Sequence, residues 1–135
     1  MPIVVDCSVA AAWALVDERT AWTSAALQVA TAEGAIVPSL FWYEMRNILV
    51  VNERRGRIDR SQTARFLADV DPLTDVDLRP VESELLELAR AHNLTVYDAS
   101  YLELASRLGL PLCTLDRQLI DAAPKIGVSL WRPSA

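Results

Sequence analysis

Residues 96–116 constrain the fold most strongly, because a helix, a stop and a buried strand follow one another within this stretch. Asp98 is predicted to open the helix. Four side chains then continue one apolar stripe at helical spacing: Tyr101, Leu102, Ala105 and Leu108. Gly109 and Pro111 stop the helix, and the apolar run that follows ends in Asp116, as a buried strand would. Both aspartates therefore lie where a regular element meets a loop.

Short apolar strands alternate with helices along the rest of the chain. The predicted strands are 3–5, 35–37, 76–79 and 128–130, with a possible extra strand at 95–96. The predicted helices are 9–15, capped by Ser8, and 18–33, 40–55, 61–71, 82–92 and 117–123. Because strand 3–5 is apolar without alternation, it fits a sheet that is covered on both faces. This order predicts an α/β sandwich around a mostly parallel sheet, in one domain spanning residues 1–135.

Charge and hydrophobicity limit the classes of function. The formal net charge is -5, which disfavours a protein that coats nucleic acid but allows an enzyme whose acids cluster around metal ions. No apolar run approaches the roughly 20 residues of a membrane span, and the N-terminus lacks the features of a signal peptide. We therefore expect a cytoplasmic protein without membrane contact. Cys7 and Cys113 lie in apolar surroundings and are expected to be buried free thiols.

Four carboxylates are predicted to meet at one edge of the sheet. Asp6 and Asp116 end parallel strands, while Glu44 and Asp98 begin helices, which start at that same edge in such folds. Each acid alone is explained as a turn former, a helix cap or a solvent-facing side chain. Together, four ionised carboxylates repel one another unless a cation joins them, and Mg²⁺ or Mn²⁺ suits an all-oxygen site. Such a site can activate water for attack on phosphorus.

Other chemistries fit the sequence poorly. His92 is the single histidine and ends a helix, which argues against a Ser-His-Asp triad and, with only two cysteines, against a zinc site. A response-regulator receiver needs paired acids after its first strand and a lysine after its last. Here Cys7 and Ser8 follow Asp6, and the only lysine, Lys125, follows a proline. A phosphoaspartate phosphatase would need an aspartate where Ser8 stands.

Four motifs in order resemble the PIN domain and, within it, the VapC ribonuclease toxins of prokaryotic toxin–antitoxin pairs. They are VVDCS at 4–8, PSLFWYEMRN at 38–47, YDASYLELA at 97–105 and TLD at 114–116. The resemblance implies a five-stranded parallel sheet between helical layers and Mg²⁺- or Mn²⁺-dependent cleavage of single-stranded RNA. It also implies a homodimer and a VapB-like antitoxin.

The resemblance also assigns expected roles to individual residues. The family's acidic quartet corresponds to Asp6, Glu44, Asp98 and Asp116. Asp6 and Asp98 are expected to hold the principal metal ion and Asp116 the same or a second ion, while Glu44 is expected to ligate an ion through water or to orient the attacking water. The small hydroxyl positions near the metal correspond to Ser8 and Thr114, and the polar helix position to Asn47.

A basic segment on the third predicted helix is a candidate for RNA binding. Arg46, Arg54 and Arg55 would contact phosphates there; the alternative is a solvated helix face. Two further alternatives stay open: a PIN-domain nuclease that processes RNA without an antitoxin, and a non-catalytic PIN-like scaffold. A non-catalytic scaffold is expected to lack some of the four acids, whereas all four are present in this sequence.

Overall fold

A parallel sheet lies at the centre of the computed structural model, which describes residues 1–134. The strands are β1 (Ile3–Val5), β2 (Ala35–Pro38), β3 (Thr74–Asp77) and β4 (Leu112–Cys113), in the order β3-β2-β1-β4. The helices are α1 (Cys7–Ala14), α2 (Ala21–Glu33), α3 (Ser39–Arg54), α4 (Arg60–Val70), α5 (Glu82–Ala91), α6 (Val96–Leu108) and α7 (Arg117–Ala122). Short 3₁₀ turns occupy Val16–Glu18, Asp71–Leu73 and Ala123–Ile126. The predicted α/β/α sandwich with a parallel sheet is confirmed; the predicted domain ends at Ala135, outside the described residues.

The central strand β1 explains why the sheet is covered on both faces. All three of its residues are buried, and it pairs with β2 on one side and β4 on the other. Helices α2 and α6 pack against β1, and α3 and α6 pack against β2. Because the strands are parallel, their carboxyl ends and the loops that follow β1, β2 and β4 lie at one edge of the sheet.

The expectation of a fifth strand is wrong: among residues 1–134 the sheet has four strands. Only one bridge, Leu112 to Leu130, forms where residues 128–130 were expected to pair. The strand β4 that should support them is two residues long, because the chain leaves the ladder directly after Cys113. Beyond it, the N–H groups of Leu115 and Asp116 bond to side-chain hydroxyls instead of a neighbouring strand.

The start of α6 also differs from the prediction. The helix begins at Val96, so Asp98 lies within its first turn and does not cap it. Thr95 is the cap: its hydroxyl oxygen accepts a hydrogen bond from the Asp98 N–H at 3.0 Å. The possible strand at 95–96 is therefore wrong. Likewise Asp6, and not Ser8, caps α1, and the predicted strand 76–79 lies two residues earlier as β3.

Within residues 1–134, no helix combines the length and the hydrophobicity that crossing a bilayer requires.

Candidate active site

Asp6 is a buried carboxylate at the end of β1, and three donors hold it. The hydroxyl of Thr114 donates to Oδ2 at 2.5 Å, and the hydroxyl of Ser8 donates to Oδ1 at 2.6 Å. The N–H of Val9 donates to Oδ1 at 3.4 Å as α1 begins. Only 5 % of Asp6 is exposed. Its orientation is thus fixed by the adjacent strand β4 and by its own helix cap.

Asp116 lies on the loop after β4, and the same two hydroxyls tie that loop to Asp6. Its N–H donates to the Thr114 hydroxyl oxygen at 2.9 Å, and the N–H of Leu115 donates to the Ser8 hydroxyl oxygen at 2.9 Å. The Asp116 carboxylate accepts the Leu119 N–H at 3.0 Å and so caps α7. The loop therefore holds two aspartates at the carboxyl ends of neighbouring strands.

Glu44 reaches the site from α3 and is partly buried. The hydroxyl of Tyr101 donates to its Oε1 at 3.2 Å. Tyr101 is 3 % exposed and lies one turn after Asp98 on α6, and its hydroxyl oxygen is 3.6 Å from the sulfur of Cys7. Sequence reasoning had placed Tyr101 in the apolar stripe and missed its polar contact. A hydroxyl one turn beyond a candidate ligand was the signal that could have identified it.

The four carboxylates act on one another electrostatically. Burial raises the pKa of Asp6, and the charge of Asp116 adds to that rise. Burial also raises the pKa of Glu44, to which the charges of Asp98 and Asp6 contribute, and that of Asp98, to which Asp116 contributes. No lysine, arginine or histidine forms an ion pair with any of the four in residues 1–134. Negative charge from four separate segments is thus brought together with no ion-pairing cation among residues 1–134.

The donor set suits a hard divalent cation, although the side chains are not arranged around one. Within the described chain, no three Asp, Glu, His or Cys side chains converge as ligands of one ion. Their oxygens bond instead to hydroxyl and N–H groups, so uptake of an ion would require some of these carboxylates to rotate. Burial raises the pKa of the nearby Cys7 thiol to about 12 and also raises that of Cys113, so both remain protonated and are poor ligands.

The remaining candidate residues are placed differently. Asn47 is exposed on α3 one turn beyond Glu44. Arg46 is engaged within the fold: it pairs with Asp71 at 2.7 Å and its guanidinium lies 3.6 Å from the centre of the Trp42 ring. Arg54 and Arg55 are exposed where α3 ends. Two of the three candidate arginines are thus accessible to a ligand.

Comparison with known proteins gives consistent matches. A sequence model of the PIN domain matches residues 3–125, which include all four carboxylates. Ribonuclease VapC3 of Pyrobaculum aerophilum is 33 % identical over 130 residues, which span 93 % of this chain and 98 % of that protein. Exonuclease VapC9 of the same organism is 40 % identical over 78 residues, 58 % of this chain and 59 % of that protein. The crystal structure of PAE2754 from Pyrobaculum aerophilum superposes with a TM-score of 0.71 at 29 % identity, covering 90 % of this chain and 84 % of that one.

Proposed function

The chain belongs to the PIN-domain family, and on that premise we propose that it hydrolyses phosphodiester bonds in RNA as the toxin of a toxin–antitoxin pair. One observation carries the proposal: carboxylates from four segments lie close enough that neighbouring acids contribute to the raised pKa values of Asp6, Glu44 and Asp98, and none of the four forms an ion pair with a cation in residues 1–134. The names of the relatives support RNA as the substrate. Residues 1–135 would act as a single nuclease domain in the cytoplasm.

A divalent cation completes the proposed site. PIN-domain nucleases generally use divalent metal ions, and an all-oxygen donor set favours Mg²⁺ or Mn²⁺ here. Asp6, Asp98 and Asp116 would hold the ion or ions, with Asp6 and Asp98 as the principal ligands. When bound, a cation of this kind lowers the pKa of water and offsets negative charge on phosphate oxygens.

The protein's own side chains position the reacting groups. Glu44 would orient the attacking water and take up its proton, while the Tyr101 hydroxyl keeps the Glu44 carboxylate in place. The water oxygen forms a bond to phosphorus, the bond from phosphorus to a ribose oxygen breaks, and that oxygen takes a proton from solvent water, while the proton held by Glu44 returns to solvent. Ser8 and Thr114 support Asp6 by their hydrogen bonds. The exposed amide of Asn47 would donate to a phosphate oxygen.

A second candidate is exonucleolytic cleavage, because the relative that is 40 % identical over 78 residues is named an exonuclease. Endonucleolytic cleavage remains our first proposal, because the relative matched over 93 % of this chain is named a ribonuclease and not an exonuclease. A covalently closed circle of single-stranded RNA separates the two activities, because only an endonuclease can open it.

We expect wild-type protein to open that circle in the presence of Mg²⁺ or Mn²⁺, and Asp98→Asn to do so at least about a hundredfold more slowly. The substitution keeps the shape of the side chain and removes its charge. Asp121→Asn, an exposed acid on α7, is the matched control and should cleave normally. Gel analysis of the circle gives the rate. An Asp98→Asn protein as active as the control would refute the site, and degradation of linear RNA alone would favour the exonuclease.

An acidic protein needs a local attraction for RNA, and we propose that Arg54 and Arg55 provide it at the end of α3, with Arg46 as a weaker candidate. Replacing Arg54 and Arg55 by glutamine should lower the slope of log affinity against log salt by about 1.4, the value for two contacts to a single strand. Binding would be measured with Asp98→Asn protein so that the RNA stays intact. The same replacements at the exposed Arg79 and Arg90 are the control. An unchanged slope would mean that Arg54 and Arg55 face solvent and do not contact phosphates.

The partners follow from the same family. We propose a VapB-like antitoxin and a homodimer, with no membrane association. The alternative, an RNA-processing nuclease without an antitoxin, uses the same four carboxylates. A small neighbouring gene whose product has a DNA-binding N-terminus would support the toxin over the RNA-processing nuclease.

A further inference from the structure

A cleft of about 530 Å³ opens beside the carboxylates, and the proposed hydrolysis does not use it. Its walls come from α2, α7, the end of β4 with the loop that follows it, and the C-terminal segment 130–133. The side chains that matter here are Trp22, Thr114, Leu115, Ile120, Trp131 and Arg132. The lining is mostly apolar and partly aromatic, whereas the carboxylates are polar and charged. The cleft is therefore suited to a flat apolar group and not to a phosphate.

The cleft and the carboxylates share a wall. Thr114 lines the cleft, and its hydroxyl donates to Asp6 at 2.5 Å. Leu115 also lines the cleft and is followed directly by Asp116. A group that occupies the cleft is thus a close neighbour of whatever the carboxylates act on. In an RNA strand, the neighbour of a phosphate is a nucleoside.

Two indole rings form the aromatic part of the cleft. Trp22 and Trp131 pack edge to face, with ring centres 5.2 Å apart and planes at 74°. Both side chains are only partly buried, so the pair keeps ring surface accessible from the cleft. Base–aromatic stacking needs such a surface and accepts any base, because every base has a π-face. The exposed Arg132 at the same cleft adds a cation that a strand phosphate can contact.

We propose that this cleft binds an unpaired nucleobase of the RNA, stacked on the Trp131 ring with Trp22 beside it, next to the phosphate that is cleaved. The proposal rests on the proposed ribonuclease function and adds a base-binding site to it. Most of the remaining lining is aliphatic and offers no pattern of donors and acceptors for reading base edges. The cleft should therefore favour large bases for their stacking area and should not read a sequence. It also requires an unpaired base, since a base within a duplex has no free face.

The test compares two oligomers of equal length and charge: oligoadenylate and a ribose-phosphate chain without bases. Both are titrated into Asp98→Asn protein, which should leave RNA uncut. Trp131→Leu should weaken binding of oligoadenylate by about 5- to 150-fold, the range for one lost base–aromatic stack, and change binding of the abasic chain by less than about twofold. Trp42→Leu removes an indole on α3, away from the cleft, and should affect neither oligomer selectively.

An equal loss of affinity for both oligomers, or no loss of affinity for either, would overturn the proposal. Unchanged affinity for both is expected if the cleft instead receives an apolar side chain of a protein partner. Wild-type cleavage of RNA combined with either result would leave the ribonuclease function standing. If the protein neither cleaved RNA nor bound oligoadenylate, both the ribonuclease function and the base-binding site would be refuted.

A second measurement avoids the risk that Trp131→Leu does not fold. The four indole N–H signals of the Asp98→Asn protein are followed by NMR, with each tryptophan assigned through its phenylalanine variant. Oligoadenylate should shift the Trp22 and Trp131 signals, and the abasic chain should not. Trp13 is 1 % exposed and donates to the Thr23 carbonyl at 2.8 Å, so its signal is the internal control. A shift confined to Trp42 or Trp13 would overturn the proposal.

Discussion

Tyr101 shows how one hydroxyl group can connect the core to the candidate active site. Its ring is buried in the apolar interior, and its hydroxyl donates to Glu44, which comes from a helix 57 residues earlier in the chain. The same α6 helix supplies Asp98 one turn before it. Packing of α6 therefore positions two carboxylates at once, one directly and one through the phenol. Tyr101 is a positioning residue, because it acts on the reaction through Glu44.

We expect Tyr101→Phe to lower kcat by about 10- to 100-fold, since a hydrogen bond to a charged group contributes about 1.5–3 kcal/mol. The KM for RNA should stay within about twofold, because Tyr101 is not accessible to the substrate. Steady-state cleavage rates give both values, and thermal unfolding checks that the ring still fills its place. Tyr97→Phe removes an exposed hydroxyl from the same helix and is the control. If the two variants behave alike, Tyr101 has no role in the reaction.

The sequence predicted that four carboxylates approach one another, and their proximity is observed, whereas their roles as ligands and catalysts stay predictions. The proximity of Asp6, Glu44, Asp98 and Asp116 was predictable because each follows or begins an element at the same edge of the sheet. The prediction that Asp98 begins α6 was wrong. The hydroxyl of Thr95 caps this helix, and a strand predicted at 95–96 leaves no place for such a cap. The hydrogen bond of Thr114 to Asp6 and that of the Leu115 N–H to Ser8 join segments more than 100 residues apart, and no local pattern encodes them.

At the scale of elements, an ionic network joins α6 to the end of β3. Arg107 bonds to both oxygens of Asp77, at 3.0 and 3.2 Å, and its Nε donates to Glu103 at 2.7 Å. Glu103 is 3 % exposed and also accepts the Val81 N–H at 3.2 Å. Hydrogen bonds to Arg107 lower the pKa of Asp77. The network fixes α6, and with it Asp98 and Tyr101, against the sheet.

Arg107→Met should destabilise the protein by about 3 kcal/mol at neutral pH, because it leaves the Glu103 carboxylate buried without its cation. Arg117→Met, at an exposed site on α7, should change stability by less than about 0.5 kcal/mol. Urea unfolding measures both. Since the folded-state pKa of Asp77 is lowered, its contribution is present at neutral pH and is lost as the pH falls through the carboxyl range. The difference in unfolding free energy between wild type and Arg107→Met should therefore shrink as the pH falls. A difference that stays constant with pH would contradict this account.

The sequence predicted most elements and missed the edge of the sheet. Gly109 ends α6 with φ near +65°, as expected for a helix stop. The fifth strand was expected because the family resemblance implies five strands and residues 128–130 were predicted to be the last one, but pairing depends on the length of β4, after which backbone N–H groups bond to the hydroxyls of Ser8 and Thr114. The contact with Ser8 is a tertiary one and cannot be read from local sequence. Its result is a two-residue β4, and Leu112 of that strand lines the proposed base-binding cleft.

At the scale of the whole molecule, the dominant feature is electrostatic. A chain with a net charge of -5 holds Asp6, Glu44 and Asp98 where burial and the charges of neighbouring carboxylates raise their pKa and so disfavour their ionisation. A fold that retains such an arrangement loses stability unless a cation offsets the charge. The RNA, also an anion, could not approach these carboxylates closely without that cation. Uptake of a divalent ion therefore links the stability of the site to its proposed activity.

Calorimetric titration of Mn²⁺ into the metal-free protein tests this claim most directly. We predict saturable uptake with release of protons, because the raised pKa values of Asp6, Glu44 and Asp98 let them keep more protons in the metal-free state than ordinary carboxyls do. The release should grow as the pH is lowered from 8 to 6. The double variant Asp6→Asn/Asp98→Asn should take up no ion at this site, while replacing the exposed Asp75 and Asp121 by asparagine should change nothing. Absence of saturable uptake by the wild type, or equal uptake by the Asp6→Asn/Asp98→Asn protein, would contradict the account.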